Sequence, residues 1–215
     1  MNNQFINLGS PINELFPPLP NYETLYEGGF TWHIDNWETL EQNAKDPINK
    51  KVESPVFNIH NDLDNDFDWK LLLYPLGNNN PKCVAVYLNP TPKDKQLESW
   101  NCCVQFSIFF SRPNQDAVHV GKVSYYRFSE VDVDWGFSDM IDIEKLKTRY
   151  KELKDTVPTG LLLNKNNLNI SCYIRVIKDE TGVTWHTFKN YDSKKITNYI
   201  GFRNQGATCY LNSLL

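Results

Sequence analysis

In the ten residues from Leu168 to Ile177, alternation runs without a break as far as Val176. Leu168, Ile170, Cys172, Ile174 and Val176 are apolar, and Asn169, Ser171, Tyr173 and Arg175 stand between them. A period of two places all the apolar groups on one face of a β-strand and scatters them around a helix. The same signature recurs along the chain. Phe30-Thr31-Trp32-His33-Ile34 alternates large and polar residues. Trp100, Cys102, Val104, Phe106 and Ile108 share one face of the run from Trp100 to Phe110. Further β-type runs cover Val52 to Ile59 (interrupted at Pro55), Trp69 to Tyr74, Cys83 to Leu88 and Val118 to Phe128. Turn chemistry separates them: the Asn-rich stretch 61–66, Pro75 and the loop Gly77-Asn78-Asn79-Asn80-Pro81, and Pro90 with Pro92. Seven or eight such runs with little helical pattern between them predict an all-β antiparallel sandwich.

Elsewhere the chain is less regular. Pro11, Pro17, Pro18 and Pro20 break any element before Gly28, so residues 1–27 are expected to form a flexible tail in which Leu15, Phe16 and Leu19 are the groups able to pack on a neighbour. Ile143 to Leu153 is the one helix-like piece, and a weak one. Trp32, Trp37, Trp69 and Trp100 are expected to be structural.

Composition narrows the function. The 215 residues are 40% hydrophobic and 13% aromatic, enough for a sandwich core, and the net charge of −4 comes from interspersed acids and bases. A main partner of nucleic acid would call for a basic patch. The N-terminus lacks the basic start and apolar run of a signal peptide, and no stretch reaches the length of a membrane span. The five cysteines (Cys83, Cys102, Cys103, Cys172 and Cys209) are odd in number and contain no CxxC pair, and the four histidines are scattered singly. Neither a disulfide framework nor a zinc site is expected, and no cofactor is. Four of the cysteines lie in apolar runs and read as small buried hydrophobes. Cys209 does not.

Phe30-Thr31-Trp32-His33-Ile34-Asp35-Asn36-Trp37 resembles the opening strand of MATH domains, the sandwich also found in TRAF adaptors. Phe57, Trp69 to Pro75, Gly77, Val86-Tyr87-Leu88 and Trp100-Asn101-Cys102 continue the likeness in order. Asp134-Trp135-Gly136-Phe137-Ser138 is similar to the start of the family's seventh strand. The resemblance implies capture of short extended peptides on an exposed sheet edge, where unpaired backbone groups supply hydrogen bonds and side chains supply selectivity. It implies a peptide site at Asp134, Trp135, Gly136 and Ser138. Asp134 would accept from a peptide hydroxyl, Trp135 would form an apolar wall, and Gly136 would admit a peptide backbone. On residue type alone, Trp135 and Phe137 read equally as core, and Phe137 is assigned there. One departure stands out: where relatives carry a basic residue shortly after the Phe57 position, this chain reads Asn58-Ile59-His60-Asn61.

The string Tyr199-Ile200-Gly201-Phe202-Arg203-Asn204-Gln205-Gly206-Ala207-Thr208-Cys209-Tyr210-Leu211-Asn212-Ser213-Leu214-Leu215 is sharper still. A Gly-containing loop runs to Thr208, and Leu211, Leu214 and Leu215 then follow at helical spacing. A thiol at such a loop-to-helix junction has its thiolate favoured by the helix N-terminus. The string resembles the cysteine box that opens the papain-like catalytic domain of ubiquitin-specific proteases. The resemblance makes Cys209 the nucleophile and Asn204 a donor to the oxyanion hole. A thiol protease also needs a histidine base oriented by Asp or Asn. In the family these lie far downstream, and His186, the histidine nearest to Cys209 in sequence, has no counterpart there.

With Asp192-Ser193-Lys194-Lys195 in the connecting stretch, the whole resembles ubiquitin-specific proteases of the herpesvirus-associated type and their fungal equivalents, which carry an N-terminal MATH domain. The expected layout is a tail at 1–27, a MATH domain at 28–178, a linker at 179–200 and the start of a catalytic domain at 201–215. The expected function is substrate recruitment for a deubiquitinase of the nucleus and cytoplasm, with peptide motifs and ubiquitin as partners. The alternative is a peptide-binding module that, at 215 residues, hydrolyses nothing.

Overall fold

A computed structural model describes residues 16–59, 66–147, 162–188 and the single positions 192, 194, 195 and 198. The chain divides into two units, Met1–Trp185 and His186–Leu215. The first is a sandwich of two four-stranded sheets.

The first sheet runs β1-β8-β5-β6, with β1 at Thr24–Ile34, β8 at Leu168–Ile177, β5 at Asn101–Arg112 and β6 at Gln115–Ser129. All neighbours are antiparallel. The strand β8 has the bounds that its alternation predicts. Leu168, Ile170, Cys172, Ile174 and Val176 belong to the buried core. β5 and β6 form a hairpin in which Arg112 faces Gln115 across Pro113-Asn114. Asn114 has φ 65, the left-handed position that a Pro-Asn turn supplies.

The second sheet runs β2-β3-β4-β7: β2 at Val52–Glu53, β3 at Phe67–Tyr74, β4 at Cys83–Pro92 and β7 at Trp135–Asp142. Its inward residues Trp69, Leu71, Leu73, Val84, Val86 and Leu88 are fully buried against Phe106, Ile108 and Phe110 of β5. Burial of side chains this large contributes about 1.5–3 kcal/mol each.

Several sequence expectations need correction. β1 begins at Thr24, not near Gly28, because its backbone pairs with β8 as far as Thr24↔Ile177. Residues ahead of it are held too: Phe16 packs on Tyr173 and Arg175. The expected strand from Val52 to Ile59 is only the two-residue β2 plus a bridge at Phe57↔Trp69, since Pro55 has no N–H for a continuous ladder. A helix that the sequence reading lacks, α1 at Trp37–Asn43, is capped by Asn36, whose side chain accepts from the Thr39 N–H at 3.0 Å. It is pinned by Trp37, which is buried and donates its backbone N–H to the Asn166 carbonyl at 2.7 Å. The helix-like piece begins as expected: α2 covers Ile143–Lys147 with Leu146 buried, and the rest of that segment lies outside the described residues.

Candidate functional site

The β7 strand closes one side of the second sheet, and among the described residues no strand pairs with its far edge. β6 closes the first sheet on the same side, and the two edge strands lie side by side without pairing. Side chains join them. The Trp135 ring, 43% exposed, lies parallel to Tyr126 with centroids 4.2 Å apart and planes at 3°. Its Nε1 donates to Ser124 Oγ at 3.2 Å. Further along, Lys122 Nζ donates to the Asp139 carbonyl at 2.7 Å, pairs with Asp139 Oδ1 at 2.9 Å and lies 5.8 Å from the Phe137 ring centroid. Phe137 is half-buried and reaches Phe106 in the core, as its assignment to the core requires. Asn89 Nδ2 donates to the Val133 carbonyl at 2.8 Å and fixes the chain as it enters β7.

Asp134 immediately precedes Trp135. Its carboxylate makes no hydrogen bond to a described residue, which leaves both oxygens available as acceptors. Partial burial pushes its pKa up, and the Lys51 ammonium draws it part of the way back. Burial and then the Asp132 and Asp134 carboxylates push the Tyr126 phenol up as well. Lys51 itself pairs with Glu53 at 2.8 Å. Sequence reading missed Lys51, Ser124 and Tyr126. Tyr126 and Ser124 occupy alternate positions of β6 and so share a face, a signal visible in sequence only once β6 is known to border β7.

Gly136 has a reason within the fold for being glycine. A Cβ there would lie 2.2 Å from the Val86 carbonyl oxygen and 2.6 Å from Tyr87 Cα. The missing side chain makes room for the neighbouring strand β4. Ser138 is half-buried at a bulge, where the register passes from Val86↔Phe137 to Val84↔Ile141. Of the stretch after Phe57 only Asn58 and Ile59 are described; neither is basic, and Ile59 is buried against Gly28.

Cys209 and Asn204 lie outside the described residues. His186 is engaged locally: its Nδ1 accepts the Phe188 N–H at 2.8 Å, and the two rings are 4.8 Å apart. Cys102, Cys103 and Cys172 are buried free thiols and Cys83 is half-buried. Burial pushes the Cys103 thiol up to about 11 even though Arg127 pulls it down, and it pushes Cys102 and Cys172 up as well. None of these three is poised as a thiolate.

The two facing sheets and the aromatic-lined edge define a TRAF-like sandwich. In agreement, the structure resembles TRAF5 of Notothenia coriiceps with a TM-score of 0.52 at 13% identity, over 72% of this chain and 76% of that one, a likeness of fold. Residues 29–174 match the MATH domain family model, and the chain belongs to that family. Among curated relatives, ubiquitin carboxyl-terminal hydrolase 15 of Saccharomyces cerevisiae is 47% identical over 96% of this chain. Ubiquitin carboxyl-terminal hydrolase 5 of Schizosaccharomyces pombe is 35% identical over 94% of it. The chain spans 17% of the length of each of these relatives.

Proposed function

We propose that this chain is the N-terminal, substrate-recruiting part of a deubiquitinating cysteine protease, and that its sandwich captures short extended peptides along the β7 edge. The observation that carries the peptide site is the β7 edge, unpaired among the described residues, beside an exposed, stacked Trp135. An incoming strand gains main-chain hydrogen bonds from that edge, and Trp135 offers an apolar wall whose orientation Tyr126 and Ser124 set in advance. Asp134 accepts from a peptide hydroxyl or amide. Lys51 supplies a nearby positive field.

Identity to the two fungal hydrolases across almost the whole chain supports the enzymatic half of the reading, together with the cysteine box. In that chemistry the Cys209 thiolate attacks the isopeptide carbonyl after ubiquitin's C-terminal glycine. The C–N bond breaks, the substrate lysine leaves as an amine that takes up a proton, and water hydrolyses the resulting thioester. Asn204 donates to the oxyanion. The peptide site is tested by titrating serine-containing peptides against the wild-type chain and Trp135→Ala; equal affinities would remove it. The second reading, binding without hydrolysis at this length, is tested with a ubiquitin C-terminal electrophile. Absence of Cys209 adduct on the 215 residues is expected, and labelling would overturn it.

A further inference from the structure

We propose that the outer face of the β1-β8-β5-β6 sheet is a second peptide site, separate from the β7 edge, that takes proline-rich segments headed by an aromatic residue. Its resident ligand is the chain's own Phe16-Pro17-Pro18-Leu19-Pro20. The register builds the site. Glu27 of β1, Arg175 of β8, Gln105 of β5 and Tyr125 of β6 sit opposite one another in a single row across four strands. Alternation turns this row outward, since Val104, Phe106, Ile174 and Val176 fill the core.

The row is wired as a receptor. Arg175 Nε donates to Glu27 Oε2 at 2.6 Å, and Arg175 Nη1 donates to Gln105 Oε1 at 2.6 Å. This holds both side chains so that their remaining N–H groups converge. Gln105 Nε2 donates to the Pro17 carbonyl at 2.7 Å, and Arg175 Nη1 donates to the same oxygen at 3.0 Å. The guanidinium also lies 4.5 Å from the Phe16 ring centroid. In the next row Tyr173 meets Phe16 at 6.1 Å and Phe109 edge-on at 5.6 Å. Gly29 makes that placement possible, because a Cβ there would come within 3.0 Å of the Tyr173 ring.

A fully buried glutamine on the outward face of a sheet is costly unless its amide is satisfied, and the strap satisfies it. Proline suits the role. Each Pro fixes φ, and the residue before a Pro is driven to extended conformations, so Pro17 to Leu19 is held stiff at low entropic cost, ahead of a turn that the Tyr22 N–H closes on the Leu19 carbonyl at 3.1 Å. Recognition uses one backbone carbonyl and one aromatic ring, features that any aromatic-Pro-Pro segment carries. Beside the strap an open cleft of about 480 Å³, lined by Pro18, Leu19, Pro20, Tyr26, Glu27 and Arg175, leaves its outer side uncovered.

The resident segment competes with any partner at the high effective concentration of a short tether, of order millimolar. The test follows. A fluorescent peptide copying residues 14–21 is titrated onto the 215-residue chain, onto the chain with Phe16→Ala and Pro18→Gly, and onto that double variant with Arg175→Ala or Arg175→Lys added. The double variant is expected to bind at least about tenfold more tightly than wild type, because the tethered competitor is weakened. Either Arg175 change is expected to lose most of that gain, and amide shifts on the double variant are expected to map to β5 and β8. A double variant that binds no better than wild type, or binding indifferent to Arg175→Lys in a chain with unchanged circular dichroism, overturns the proposal. So does equal binding of a peptide with its three prolines replaced by alanine. Loss of binding on Trp135→Ala overturns it too, by placing the peptide on the β7 edge.

Discussion

Trp135 and Tyr126 lie ring on ring, 4.2 Å apart at 3°, and join the edge strands of two different sheets. Neither ring is held by backbone pairing between β6 and β7, so the stack, the Trp135-to-Ser124 hydrogen bond and the Lys122–Asp139 pair do the joining. An aromatic pair of this kind adds about 0.5–1.5 kcal/mol beyond the area it buries. Trp135→Ala is therefore expected to cost about 1 kcal/mol of stability and to reduce affinity for edge-binding peptides by about tenfold or more. Calorimetric titration beside a urea melt separates the two effects; a large loss of stability with unchanged affinity would make the residue purely structural.

Gly136→Ala is expected to destabilise the sandwich by about 1–3 kcal/mol, the usual cost of overpacking. The added methyl is aimed at the Val86 carbonyl 2.2 Å away, and backbone on a paired strand yields poorly. Equilibrium unfolding in urea reads this directly. A variant as stable as wild type would show that β4 and β7 separate without cost.

Acid is expected to loosen the segment that follows β8. Burial alone pushes the Asp179 carboxyl up, but hydrogen bonds from Arg127 and Thr184 outweigh it and hold the group at about 2. Arg127 also donates to the Gly182 carbonyl at 3.0 Å and the Thr184 carbonyl at 3.3 Å, tying the turn to the sheet. The folded value lies below the unfolded one, so this stability is present above the unfolded value of about 3.9 and is lost as pH falls through about 2. A shift of this size corresponds to about 2 kcal/mol. Asp179→Asn is expected to flatten the acid limb of the stability curve between about pH 4 and pH 2; an unaltered limb would refute the link.

Asp134 behaves in the opposite sense. Partial burial raises its carboxyl above the ordinary value, with Lys51 opposing. A carboxyl that burial raises costs stability when ionised at neutral pH, so Asp134→Asn is expected to leave the fold at least as stable as wild type. Peptide affinity is expected to fall on acidification, with a midpoint above that of an ordinary aspartate, and Asp134→Asn is expected to abolish that pH dependence. An affinity that ignores pH in the wild-type chain would exclude the carboxylate from binding.

Alkylation should discriminate among the thiols. Cys102, Cys103 and Cys172 are buried with raised pKa values, and Cys83 is half-buried with its sulfur 3.3 Å from Asn80 Nδ2. Brief iodoacetamide treatment at neutral pH, mapped by mass spectrometry, is expected to leave the three buried thiols unmodified and to label Cys83 ahead of them.

Much of the sandwich was legible because strand alternation is a local property. Leu168 to Ile177 declares its inward face without any neighbour, and Asn36 ahead of Trp37 carries the local cap of α1. Where burial depends on distant residues, local pattern fails. Val52 to Ile59 reads as one strand, yet Pro55 leaves only β2 and the Phe57 bridge paired.

The amino-acid sequence by itself determined the alternating faces of β5 and β8 and the turns between strands. It also carried the Asp134-Trp135-Gly136 motif and the cysteine box around Cys209, because each is written in residues adjacent along the chain. Only the tertiary structure decided that Trp135 rests on Tyr126, that Gly136 yields space to Val86, and that Phe16 to Pro20 is a docked strap and not a loose tail. Those facts depend on strand order and register, which bring Pro17 to Gln105 and Arg175 across 88 and 158 residues. A segment with no ladder of its own is ordered by what it meets, and its own residues do not record that partner.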